Sequence, residues 1–201
     1  MSVRFQYNKT SLQALNKQLK IRQRALPTLK NKESALRMEV KLARERTLKI
    51  AGKLESLISD QETNMHMWNE FESSLVSIEE VKLAWKKIAG VKIAELEEVF
   101  FHIRDFNIFI KPKWFLEGIQ ILKEMLKLMI EKELSEKKEE MLEYARKKTT
   151  QKVNLYEKVQ IPEYEEAIMK IKRFLEDEEN LSKAAQKIVK TRQQTKVEAG
   201  I

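Results

Sequence analysis

Cysteine is absent from this 201-residue chain, and only four glycines and three prolines occur in it. Without cysteine there is no disulfide framework and no thiolate metal site, a composition that suits a reducing compartment. A fold with many strands needs glycine or proline at its tight turns, so their scarcity excludes such a fold. Aromatic residues make up only 7% of the chain and charged residues 35%, which argues against one thick core. Long helices are the expected structure.

Long hydrophobic runs are also missing. No apolar stretch approaches the roughly 20 residues that cross a membrane as a helix. Residues 1–10 lack the apolar core of a signal peptide. We therefore expect a cytoplasmic protein.

Motifs for chemistry are scarce as well. The one glycine closely followed by a lysine, Gly90, lacks the hydroxyl residue that opens a phosphate-binding helix, so no P-loop is predicted. The only histidines, His66 and His102, are 36 residues apart and are interpreted as structural or incidental. Paired glutamates lie among lysines on predicted helix faces, where solvent contact explains them. We predict no catalytic, cofactor-binding or metal-binding residues and no enzymatic activity.

Apolar residues recur at alternating spacings of three and four from Leu12 to Leu57. Of the fourteen positions on this track, eleven are apolar, and Arg22, Glu33 and Thr47 are the polar exceptions. An average spacing of 3.5 residues over more than six heptads is the pattern of a left-handed coiled coil. The predicted seam positions in this half are Leu12, Leu15, Leu19, Leu26, Leu29, Leu36, Val40, Ile50, Leu54 and Leu57.

The C-terminal half carries a similar track, with a less regular phase before residue 164. We predict that the two helices pair antiparallel, giving a mainly α fold built on a long two-helix coiled coil. With the chain ends level, position i would face a residue near 195 minus i. The seam positions predicted in this half are Tyr164, Ile171, Phe174, Leu181 and Ile188.

Two prolines, Pro27 and Pro162, fall inside the helical patterns. Each removes one backbone hydrogen bond and bends its helix without having to end it. In the level register they lie within about two turns of one another. Our hypothesis is a shared bend, because two helices curved at the same height stay in contact.

The middle of the chain has a different pattern and divides it into three predicted segments: residues 1–60, 61–113 and 114–201. Alternating apolar residues around Trp85 and around Phe101 predict a small module with short helices and a possible β-hairpin. The reversal would fall at Ala89 and Gly90 or near Ala94 and Glu95. Short helices remain an alternative for the same residues, because the glutamate-rich stretches are good helix formers.

Both ends of the chain are basic. Residues 1–60 hold 14 Lys and Arg against 5 Asp and Glu, a net charge of +9, and residues 182–197 contain no acidic residue. Nucleic acid phosphates would attract such ends, but no aromatic platform or recognition helix accompanies them. We predict no nucleic-acid partner.

Three stretches carry motifs that can be compared with a known family. The most specific covers residues 149–162 (TTQKVNLYEKVQIP), in which Val-Asn-Leu-Tyr-Glu precedes Ile-Pro. It resembles the D subunit of the V/A-type rotary ATPases in its bacterial form, whose pattern is Val-Asn-x-Leu/Phe-Glu before Ile-Pro; this chain has Tyr156 at the Leu/Phe position. The second covers residues 7–12 and 26–36 in the first predicted helix. The third covers residues 89–96, where Ala94 replaces the usual proline and puts the local turn in question. Together they span nearly the whole chain.

This resemblance implies a non-catalytic central rotor shaft that transmits torque between an ATP-hydrolysing or ATP-synthesising ring and a membrane ring that moves protons or sodium ions. It implies as partners the A and B subunits of the catalytic ring, the F subunit, and the C subunit, which is named d in eukaryotes. The protein would reach the membrane only through the complex. The basic residues expected to contact the ring are Lys9, Lys17, Lys183, Lys187, Lys190 and Arg192. The rival interpretation is a coiled-coil adaptor, such as a type III secretion export stalk.

Overall fold

A computed structural model describes residues 4–62, 65–106 and 111–198 of the chain. The fold is mainly helical with one two-stranded antiparallel hairpin, as the sequence predicts. In chain order the elements are helix α1 (Lys9–Glu62), the short helix α2 (Met65–Trp68), a 3-10 turn (Ser73–Leu75), strands β1 (Val76–Ile88) and β2 (Val91–Ile103), helix α3 (Trp114–Asn154), a π-helical segment (Leu155–Gln160) and helix α4 (Ile161–Glu198).

The contacts divide the chain into two compact units. The first unit comprises Met1–Asn31 and Thr150–Ile201, and the second is Lys32–Thr149. Each unit contains one stretch of α1 and one stretch of the C-terminal helices, because those helices run antiparallel within it. The three predicted segments follow chain order, whereas these units follow contacts.

The core of the first unit is a helix-on-helix seam. Leu15 of α1 is buried against Ala167, Ile168 and Ile171 of α4. Half-buried residues extend this cluster: Phe5, Leu12, Leu19, Tyr164 and Leu175. Apolar side chains at helical spacing on both partners explain why these stretches pair.

The register of this pair differs from the predicted one. Arg22 was expected near residue 173 but donates a hydrogen bond to Gln160, and Lys30 lies 2.6 Å from the carboxylate of Glu157. These contacts show that the chain ends are not level. The end of α4, which runs on to Glu198, extends past the start of α1 at Lys9. Pro27 therefore lies in α1 between the residues that contact the π-helical segment, and Pro162 follows that segment.

The second unit has two apolar clusters, which hold the hairpin against the helices at both of its ends. Near the turn, Ile93 is buried with Leu36, Val40, Ala43 and Leu142. At the other end of the strands lie Leu75, Val76, Phe115 and Ile119, with Phe71, Phe101, Phe106 and Trp114 packed around them. A two-stranded hairpin is marginal by itself, so this packing on α1 and α3 is what stabilises it.

The chain reverses at Ala89 and Gly90, the first of the two positions predicted. Both residues have positive φ, 48° and 86°. A two-residue turn with both central residues in this region matches the twist of the flanking strands, and glycine adopts it without strain. The hairpin prediction is confirmed, and the helical alternative for these residues is wrong.

Candidate functional site

The predicted seam positions on α1 all face inward within their units. Leu15, Leu36, Val40, Ile50 and Leu54 are buried. The remaining five are half-buried: Leu12, Leu19, Leu26, Leu29 and Leu57. The positions between them are mostly exposed, so α1 presents one narrow apolar stripe.

The corresponding track on α4 is buried only in its first part. Ile171 is fully buried and Tyr164 half-buried. Phe174, Leu181 and Ile188, predicted to lie in the seam, are 45%, 73% and 54% exposed. Phe174 still packs on Tyr7, just before α1, with the ring centres 4.9 Å apart, whereas for Leu181 and Ile188 the prediction is wrong. The physical reason is the register: α1 begins at Lys9, so the later turns of α4 have no stretch of α1 in the first unit to pack against.

Polar residues on the α1 stripe have polar partners on the opposite helix. The Thr47 and Ser135 hydroxyls in the second unit are 3.0 Å apart. Since Thr47 gives its one hydrogen to the Ala43 carbonyl, Ser135 is the donor between them. In the first unit, Arg22 donates to Gln160. A polar pair inside an apolar seam favours one register, because any shift leaves buried polar atoms unpaired.

Sequence reasoning missed these partners. Ser135, Leu142 and Thr149 are each seven residues apart, and all three are buried. That heptad spacing was a usable signal, although the two hydroxyl residues do not count as apolar.

The six basic residues expected to contact the ring are all exposed and lie in the first unit: Lys9, Lys17, Lys183, Lys187, Lys190 and Arg192. The Lys183 ammonium lies 2.7 Å from the Glu179 carboxylate one turn earlier. This hydrogen bond is the main cause that lowers the pKa of Glu179, and the charge of Lys9 adds to it. Lys9 thus lies across the groove from Glu179, where α1 begins against α4.

We call residues 181–195 of α4 the projecting end. It carries exposed apolar residues beside its basic ones, namely Leu181, Ile188 and Val189. A helix surface that is both apolar and basic in water is typical of an interaction surface.

The hairpin exposes a second surface of this kind. Trp85 of β1 is 62% exposed, and the Lys92 ammonium lies 4.9 Å from the centre of its ring. On the opposite face Glu95 accepts a hydrogen bond from Lys138 of α3 at 2.7 Å. That bond is the largest cause lowering the pKa of the Glu95 carboxyl, against the opposing effect of burial.

The histidines His66 and His102 are both exposed. Within the described residues, no group of three or more His, Cys, Asp or Glu side chains is arranged to hold a metal ion. None of the helices in the described ranges is long and apolar enough to span a membrane.

Comparison with known proteins gives a consistent picture. The family model for the ATP synthase D subunit matches residues 11–191. The V-type ATP synthase D subunit of Borreliella burgdorferi is 30% identical over 190 residues, which cover 91% of this chain and 92% of that protein. The V-type ATP synthase D subunit of Chlamydia muridarum is 27% identical over 188 residues, covering 88% and 90%.

Proposed function

Because the chain belongs to the ATP synthase D subunit family and so is a subunit of a V-type rotary ATPase, we propose that it is the non-catalytic central rotor shaft of that complex. The observation that carries this proposal is the projecting end of α4, an apolar and basic helix beyond the paired part of the first unit. A surface of this kind suits a ring of partner subunits around it.

The proposed mechanism is torque transmission. A shaft must resist twisting. An apolar seam that contains matched polar pairs resists it, because sliding one helix along the other breaks buried apolar contacts and hydrogen bonds together. Inside a ring of three A and B pairs, an asymmetric shaft contacts each pair differently. The rotational angle of the shaft therefore biases which of the sites in the ring is open. Rotation then couples ATP turnover to ion movement, with H⁺ or Na⁺ as the ion.

The ring contacts are proposed to be electrostatic. Lys187, Lys190 and Arg192 are exposed on the projecting end. Attraction between such charges and an acidic or polar collar holds the shaft without deep interlocking, so it permits sliding. The same proposal extends to Lys9, Lys17 and Lys183, the last of which is already partly neutralised by Glu179.

The remaining partners follow from the same proposal. The F subunit would pack on the shaft, and the C (or d) subunit would join it to the membrane ring. The protein would then lie on the cytoplasmic side, peripheral to the membrane within the complex. The shared bend at Pro27 and Pro162 stays a prediction. With it, α1 and α4 would curve in the same direction and remain in contact.

Reconstitution with the A, B and F subunits tests the proposal. A rotor shaft elutes with the ring as one copy per three A and B pairs, whereas an unrelated adaptor elutes separately. Removing residues 183–201 should leave the melting temperature of the isolated protein unchanged and lower ATP-driven rotation at least tenfold. Full rotation by this truncated chain would overturn the role given to the projecting end.

A charge variant separates the effect of electrostatic attraction from the effect of the shape of the projecting end. Replacing Lys187, Lys190 and Arg192 together by Gln should weaken assembly and slow rotation most at low salt, and the difference from the unchanged chain should shrink as salt rises and screens the attraction. The matched control replaces three exposed lysines elsewhere, Lys49, Lys53 and Lys147, and removes the same charge. Equal losses in both triple variants would show that net charge alone matters.

A further inference from the structure

The C-terminal helix changes its hydrogen-bond pattern at Leu155–Gln160. The N–H of Ile161 donates to the carbonyl of Tyr156, five residues back, which is the pattern of a π-helix. A π-helical turn contains one more residue than an α-helical turn and is uncommon, because its backbone packs less well. We therefore expect contacts with neighbouring residues to stabilise the π-helical segment.

Pro162 explains one side of the segment. Proline has no N–H, and in a regular α-helix its ring collides with the carbonyl four residues earlier. The π-helical segment ends at Gln160, two residues before Pro162, and so widens the turn that precedes the proline. Proline alone does not require a π-helix, because Pro27 lies inside the α-helix α1.

Arg22 contacts the segment from the opposite helix. Its Nε donates to Oε1 of Gln160 at 2.8 Å, and its Nη1 donates to the side chain of Gln18 at 2.7 Å. The guanidinium lies over the ring of Tyr164 at 4.5 Å and is 6.0 Å from the ring centre of Tyr156. One side chain thus touches residues within the segment and just beyond it.

We propose that Arg22 is a positioning residue that holds the extra residue of the C-terminal helix in the π-helical segment. If this stretch were α-helical, the extra residue would have to lie elsewhere in the helix, and different residues of α4 would face α1. The flat guanidinium bonds Gln160 at its edge and stacks on the tyrosine at its face, which a lysine cannot do. Arg22 thereby sets which residues of α4 face α1.

Amide hydrogen exchange measured residue by residue tests this role. Arg22→Leu should speed exchange at residues 156–161 by about tenfold while Leu15 and Ile171 exchange as before. Arg22→Lys should give a similar local increase, because charge alone does not replace the fork and the stacking. Arg24→Leu, at an exposed position of the same helix turn, is the matched control and should change nothing.

Two outcomes would overturn the proposal. Unchanged exchange at residues 156–161 in Arg22→Leu would show that the segment is held without Arg22. A uniform increase across the first unit would show a general effect on stability instead of a positioning role.

A deletion tests the extra residue independently. Removing the exposed Lys158 together with Pro162→Ala leaves the residue count of an ordinary α-helix, so the melting temperature should stay within about 3 °C. The matched control removes the exposed Arg24 together with Pro27→Ala in α1, which has no residue to spare, and should lower it by roughly 10 °C or more. If both deletions cost the same, the segment does not contain a dispensable residue.

Discussion

Helices α1 and α4 carry the same apolar repeat, yet only α1 keeps it buried or half-buried throughout. Leu15 and Leu36 on α1 are buried, and so is Ile171 on α4, whereas Leu181 and Ile188 further along α4 are exposed. The difference is not in the side chains, which are all aliphatic. It comes from where each helix begins, because burial requires a partner at the same height. An apolar repeat therefore shows what a helix can pair with, and the register shows where it does.

The strongest way to break this comparison is to place a charge at both kinds of position. Ile171→Asp should lower the free energy of unfolding by about 3 to 5 kcal/mol, because the carboxylate loses water and gains no partner. Leu181→Asp should change it by less than about 0.5 kcal/mol. Urea unfolding followed by circular dichroism measures both, and equal losses would mean that the projecting end is packed after all.

A cavity extends the comparison to the second unit. Leu142→Ala should cost about 2 to 4 kcal/mol, because Leu142 is fully buried beside Leu36 and Val40 and leaves a void. Met141→Ala, one residue earlier and 44% exposed, is the control and should cost less than about 1 kcal/mol. Thermal melts of both variants measure this difference in stability. A small cost at Leu142 would show that this cluster rearranges easily.

The polar pair in the seam gives a smaller effect. Ser135→Ala and Thr47→Val should each cost about 1 kcal/mol, because the first removes the hydrogen bond that the Thr47 hydroxyl accepts and the second leaves the buried Ser135 hydroxyl without this acceptor. The loss of stability in the double variant should be smaller than the sum of the losses in the two single variants, and a double-mutant cycle measures this difference. Thr191→Val on the projecting end removes an exposed hydroxyl bonded to its own helix and should have no measurable effect. Strict additivity would argue that the two hydroxyls act separately.

The smallest expected effect concerns Glu95 and Lys138. The pKa of Glu95 is lowered in the folded protein, so the ion pair stabilises the fold above the ordinary pKa of a glutamate and loses that contribution as pH falls through the folded pKa. Glu95→Gln should therefore cost about 1 kcal/mol or less near pH 7 and progressively less below about pH 4. Glu97→Gln, at an exposed position two residues on, should show no such trend. A constant difference across pH would exclude the ionic explanation.

Several features could be read from the sequence because they depend on short-range physics. The spacing of Leu12 to Leu57 predicted the stripe of α1, and Ala89-Gly90 was one of the two positions predicted for the turn, since glycine adopts positive φ without strain. The π-helical segment could not be predicted, because its residues are ordinary helix formers. The contacts of Arg22 depend on a residue 138 positions away.

The sequence by itself determined that this chain forms long amphipathic helices with a different module between them, for which a hairpin and short helices both remained open, because spacing and turn chemistry act over a few residues. Its motifs also indicated the family. Only the tertiary structure decided the register, and with it which apolar residues are buried. The physical reason is that an apolar repeat is satisfied by several offsets between two helices. The choice among them depends on polar pairs such as Arg22 with Gln160, which are distant in sequence and meet only when the helices pack.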